Sequence, residues 1–169
     1  MTKNFLYCVE QAISNAYKVN TSKVFQEEKE SGRQEIKYKS QGKQLVFSFD
    51  VNTKGVASPF PFFKNVEGLK SVSDYILFTL RMSDSKPFIL IFELKKNKRP
   101  KRQLLATKQL CLYIMEMINI AFKEDFHPEI RMIGLVEGIK TSTQIDKLEY
   151  KDDILYTPLR VLEISKLLK

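Results

Sequence analysis

Apolar Phe5, Val9, Ala12, Ile13 and Ala16 recur at helical spacing, which predicts an amphipathic helix over residues 5–18. From 20 to 43 the residues turn polar and charged, with Gly32 and Gly42 as breakers, and a loop or fraying helix is expected. β-branched and aromatic residues return over 45–51, a first strand that a turn at Gly55 closes. Pro59 and Pro61 then bar residues 58–63 from a central strand. The phenylalanines Phe60, Phe62 and Phe63 in that loop are expected to plug the core beneath it; stacking on unpaired bases is the other use for them.

Two apolar runs follow, 72–80 and 87–95, and the short polar connection between them predicts an antiparallel hairpin. Pro100 suits a helix start, and 102–122 reads as the longest helix, apolar on most sides and so expected to be largely buried. His127 and Pro128 break the chain, a strand is expected over 130–136, and 147–157 reads as a last hairpin or edge strands. Thr157 then stands where it could cap a final helix from Pro158 to the end. The order is helix, three strands, helix, strand, then a strand and helix extension. That predicts an α/β fold with a mixed central sheet flanked by helices, and 169 residues is the length of a single domain.

Chemistry enters through Asp74, Glu93 and Lys95. Side chains alternate along a strand, so Glu93 and Lys95 point to one face and Leu94 to the other. If the hairpin register sets Asp74 beside them, two carboxylates and one ammonium converge and the site is short of positive charge. A divalent cation meets that deficit, and hard oxygen ligands suit Mg²⁺ or Mn²⁺.

Charge adds a partner. The chain carries 28 basic against 20 acidic residues, a net +8, which favours a polyanion without identifying it. Six of the eight residues from 95 to 102 are basic, and the run follows directly on the candidate strand. Lys96, Lys98, Arg99, Lys101 and Arg102 are therefore candidates to grip a phosphate backbone, with salt-sensitive, sequence-independent affinity. A localisation signal or a solvated loop is the plainer reading of the run. Cys8 and Cys111 read as buried thiols. No apolar run free of charge reaches the ~20 residues of a membrane span, and no secretory leader is evident, so a cytoplasmic protein without membrane contact is expected.

Together Asp74, Glu93-x-Lys95 and this element order resemble the PD-(D/E)xK nuclease superfamily and its restriction-endonuclease-like fold. Gln109-x-x-x-Tyr113 is similar to the QxxxY motif of RecB-type nucleases. The resemblance covers about residues 5 to 137. It implies metal-dependent hydrolysis of nucleic-acid phosphodiesters, with DNA the favoured substrate. Asp74 and Glu93 would hold the metal, the Leu94 carbonyl would add a ligand, and Lys95 would serve the attacking water. Glu10 matches an additional metal-site acid in some relatives, with Glu27 or Glu28 as substitutes. Gln109 would support the site or the substrate, and Tyr113, one turn on, would contact nucleic acid. The usual proline before the first acid is replaced by Ser73, and the histidine upstream in the RecB-type branch has no counterpart, since His127 lies downstream.

The bland readings are a strand-start acid at Asp74, a surface ion pair between Glu93 and Lys95, a flank residue at Gln109 and a core tyrosine at Tyr113. The other function class is a non-catalytic nucleic-acid-binding module or subunit that keeps the fold. Because one active site cuts one strand, a homodimer is an option the sequence leaves open.

Overall fold

Ile89 and Ile91 face one way along strand β5 (Pro87–Lys96), while Phe88, Leu90, Phe92 and Leu94 face the other, and all six are buried. A strand apolar on both sides needs cover on both sides, and the layers follow from that need. The computed structural model describes residues 4–20, 24–29, 32–40, 42–49, 70–96, 100–137, 150–158 and 161–169.

On the Ile89 side lie α1 (Phe5–Ala12) and α2 (Lys101–Phe122), which bury Phe5, Leu6, Cys8 and Val9 and Leu104, Cys111, Met115 and Ile118 against the sheet. Both cysteines are buried. On the Phe92 side lies a smaller sheet of β1 (Val24–Lys29), β2 (Gly32–Lys39) and β9 (Val161–Glu163), followed by the single turn α3 (Ile164–Leu167). Phe25, Ile36, Tyr38, Leu162 and Ile164 are what these elements contribute to the second core.

The central sheet has six strands in the order β3-β4-β5-β6-β8-β7, where β3 is Gln44–Phe47, β4 Tyr75–Leu80, β6 Glu129–Glu137, β7 Tyr150–Lys151 and β8 Ile154–Thr157. β4 and β5 form the antiparallel hairpin that the short connection predicts. The chain then crosses through α2 and returns as β6, parallel to β5, with β8 parallel on its far side. Among the described residues the architecture is α/β, with mixed sheets and three α-helices.

Four expectations need correction. The stretch 20–43 is not loop or helix: β1 and β2 pair antiparallel with Lys29 opposite Gly32, and only Phe25, Ile36 and Tyr38 supply the apolar alternation. The first helix ends at Ala12 and is followed by a 3₁₀ turn at Asn15–Tyr17, with Asn4 and Ser14 accepting from the backbone of Leu6 and Ala16 as caps. Thr157 caps no helix, since it is the fully buried last residue of β8 opposite Leu135. Val161–Glu163 instead adds to β2 as a parallel strand before the chain turns into α3.

The fourth correction concerns α2. It starts at Pro100 as expected and stops at Lys123, whose left-handed φ of 55° ends the helix, but it is not largely buried. Leu105, Leu112, Tyr113, Met117 and Ile120 all stand exposed on its outer side. By length and composition alone it would pass for a membrane-crossing helix, although its inner side is committed to the sheet. The loop holding Phe60, Phe62 and Phe63 lies outside the described residues.

Candidate metal and nucleic-acid site

The register of the hairpin pairs Tyr75 with Phe92, so the residue before β4 falls beside the residue after Phe92. Those residues are Asp74 and Glu93. Their contacts interlock: the Asp74 backbone N–H donates to Glu93 Oε2 at 3.0 Å, and the Leu94 N–H donates to Asp74 Oδ2 at 2.6 Å. Lys95 Nζ lies 2.6 Å from Glu93 Oε1, as two side chains on one face of a strand can. Leu94, between them, points into the opposite core.

Burial gives this cluster its electrostatic weight. Glu93 is 0% exposed and Asp74 9%, while the Lys95 side chain keeps 24% of its surface in water. Carboxylates this far from solvent are expensive unless they are paired and hydrogen-bonded. Here the two carboxylates lie side by side, and Glu93 is paired with the Lys95 ammonium. One residue upstream in the sequence, the fully buried Ser73 hydroxyl makes no hydrogen bond among the described residues, an orphaned polar atom of the kind that a bound water relieves.

Three more residues shape the site. Thr107, fully buried on the inner side of α2, accepts the Ser73 N–H on its hydroxyl at 2.6 Å and so fixes the backbone that delivers Asp74. Gly134 of β6 pairs with Glu93 on one side and with Tyr156 of β8 on the other. A side chain there would meet the Tyr156 ring, because a Cβ on Gly134 would lie 2.7 and 2.9 Å from two of its carbons. Asp74, Glu93, Gly134 and Tyr156 thus form a row across four strands on the face that α2 covers. Sequence reading passed over Thr107, Gly134 and Tyr156. For Thr107 a signal existed, since 104, 107, 111, 115 and 118 fall on one helical stripe; Gly134 and Tyr156 are brought together only by the sheet.

Thr107 carries a direct expectation. Thr107→Val keeps the shape, strands the Ser73 N–H and should lower stability in urea unfolding by about 1–3 kcal/mol, whereas Thr107→Ser should stay close to wild type. Equal loss in both variants would remove the hydroxyl from the account.

Other candidates from the sequence lie elsewhere. Glu10 is bound by Lys18 at 2.6 Å and Lys43 at 3.2 Å, and hydrogen bonds from these two lysines hold its carboxyl below the usual range. Both lysines border the edge strand β3, Lys43 next to Gln44 and Lys18 bridged to Phe47, and among the described residues no three acids, histidines or cysteines gather as a metal cluster. The substitutes Glu27 and Glu28 fall in β1, whose Phe25 packs on the opposite face of the central sheet. Gln109 and Tyr113 are exposed on the outer side of α2, because Gln109 is rotated about 200° from Thr107 around the helix. They share a face as expected, but it is the one turned away from the acids.

Of the basic run, Lys101 pairs with Asp152 in the β7–β8 turn at 2.8 Å, which raises its pKa, and Arg102 is exposed at the start of α2. Lys98, Arg99 and the Lys96 side chain lie outside the described residues. Comparison with protein-family models, curated proteins and solved structures returns no match, so the chemistry of the site rests on its own geometry.

Proposed function

We propose that the protein is a metal-dependent nuclease with a restriction-endonuclease-like fold of the PD-(D/E)xK type, acting on DNA. The observation that carries this reading is the interlocked Asp74, Glu93 and Lys95 at the carboxyl end of β5, both carboxylates buried and the lysine partly exposed. The order helix, sheet hairpin, crossover helix and parallel strand around that point supports it.

The donor set fits a hard divalent cation. Two adjacent, buried carboxylate side chains suit Mg²⁺ or Mn²⁺, which bind through one or two carboxylates and keep several waters. Asp74 and Glu93 would hold the ion, with the Leu94 carbonyl as a further ligand. When bound, such an ion supplies Lewis-acid stabilisation of a phosphodiester under attack and lowers the pKa of a coordinated water. Lys95, partly exposed above Glu93, is placed to orient the water and to offset charge as it builds on the phosphate. Arg102 and the rest of the basic run would hold the strand by its backbone, which gives affinity without base readout.

The test is cleavage of labelled single-stranded, duplex and branched DNA and of RNA, with Mg²⁺ or Mn²⁺ and with chelator. Chelator-sensitive cleavage is expected; failure to cut any of these substrates would overturn the proposal. The described residues gather two acids and no third, which favours a second reading, a non-catalytic nucleic-acid-binding module. Salt-sensitive DNA binding without any Mn²⁺ binding in calorimetry would select it.

A further inference from the structure

The outer side of α2 is an exposed apolar ridge on a helix whose inner side is fully committed. Leu105, Leu112, Tyr113, Met117 and Ile120 are 39–64% exposed. Positions 102, 105, 109, 113, 116 and 120 fall within roughly 80° of arc, opposite the buried stripe. Contiguous apolar patches of this kind on a water-facing helix mark contact surfaces.

The distribution of charge along the ridge specifies the partner. Arg102 and Glu116 are exposed, and among the described residues neither has an ion pair within the chain. Each stands seven residues, about two turns, from Gln109. Leu105 and Tyr113 each stand four residues from it. A second α2 laid antiparallel about a two-fold axis at Gln109 therefore sets Arg102 against Glu116 twice and Leu105 against Tyr113 twice. Gln109 meets its own copy, donor to acceptor, as a side-chain amide can. A parallel pair would oppose like charges.

Shape agrees with this. The ridge stands between two clefts, one of about 600 Å³ walled by Tyr17, Phe49, Tyr113 and Met117, the other of about 450 Å³ walled by Leu112, Glu116, Ile120 and Phe126. A ridge beside a groove is what an isologous contact requires, since each copy then offers what the other fills. Pairing about Gln109 sets Lys101 against Met117, so the overlapping stretch of α2 is 17 residues, about 26 Å long, and a strip of that length taking in a groove on either side approaches the roughly 800 Å² per partner of a stable interface.

We propose that this face of α2 binds a second copy of the chain, antiparallel about Gln109, to form a homodimer. The surface is separate from the acid cluster and shares Arg102 alone with the proposed strand grip, and a test without nucleic acid lets the two readings fail separately.

Sedimentation velocity across a concentration series, without metal or nucleic acid, tests it. The wild-type chain should pass from monomer to dimer as its concentration rises. Leu112→Lys, folded by circular dichroism, should remain monomeric. Arg102→Glu and Glu116→Arg should each weaken association at least about tenfold, and the double variant should recover most of that loss, because the swap restores two opposite-charge pairs. A wild-type chain that is monomeric at about 100 µM, or a double variant no better than its parents, would overturn the proposal. Binding of the monomer to anionic lipid vesicles through Leu112 would likewise overturn it and assign the ridge to a membrane surface.

Discussion

Glu93→Ala is expected to abolish cleavage, by roughly 10³-fold or more, while leaving the protein folded and close to wild type in stability. Removing Glu93 strands the Asp74 N–H, which costs about 1–3 kcal/mol, but it also removes one of two adjacent buried carboxylates and the like-charge repulsion between them. The terms oppose each other, so stability should change little while function is lost, and Glu93→Gln, which keeps an acceptor, should be neutral or stabilising. Lys95→Ala should behave differently. It leaves Glu93 buried, charged and without its ammonium, and breaking a buried pair from one side costs about 3–5 kcal/mol, at the low end here because Lys95 is partly solvated. Metal supplies a readout that does not depend on activity. Mn²⁺ at 100 times its dissociation constant should stabilise the wild type by about 2.7 kcal/mol in thermal unfolding, and Glu93→Ala should lose that increment. A variant that still cuts DNA, or one stabilised by Mn²⁺ as the wild type is, would remove Glu93 from the site.

The part of this site that could be read in one dimension is the part governed by strand alternation and hairpin register. Glu93 and Lys95 share a face because they are two residues apart, and Asp74 arrives beside them because a short connection folds β4 back on β5. Helical positions were harder. Gln109 and Tyr113 have the spacing of one face, but α2 is apolar nearly all round, and only its contacts reveal which stripe is inner. The buried stripe runs through Leu104, Thr107, Cys111, Met115 and Ile118, which turns Gln109 outward and gives its place near the acids to Thr107. The hairpin β1–β2 was illegible for a related reason. Among its described side chains Phe25, Ile36 and Tyr38 reach the second core, and in the sequence that period of two is carried by too few apolar residues to stand out from charge. At Glu10 nothing in the sequence signals its ion pairs with Lys18 and Lys43, because neither lysine is adjacent to it in the chain.

Gly134→Val is expected to damage fold and site together, and the reason is room rather than backbone freedom. The position lies between Glu93 and Tyr156 in the sheet, and its missing Cβ is the space that the Tyr156 ring occupies, 2.7 Å from where that atom would be. Pro100, at the start of α2, closes the third side at 3.4 Å. The tyrosine cannot swing outward cheaply, because it is 9% exposed and packed into the core beneath the helix. Overpacking a filled core costs about 1–3 kcal/mol, and a β-branched side chain wedged against a ring on one side and a proline on the other belongs at the top of that range. The displaced volume has Glu93 as its other neighbour, so the Mn²⁺-induced stabilisation should shrink as well. Tyr156→Ala alone should cost about 3–5 kcal/mol through the cavity it opens. In the double variant the valine grows into that cavity, and the combined loss should fall short of the sum by more than about 1 kcal/mol. Strict additivity in urea unfolding would mean that the ring and the glycine do not compete for one space, and the row across β4, β5, β6 and β8 would lose its outer wall.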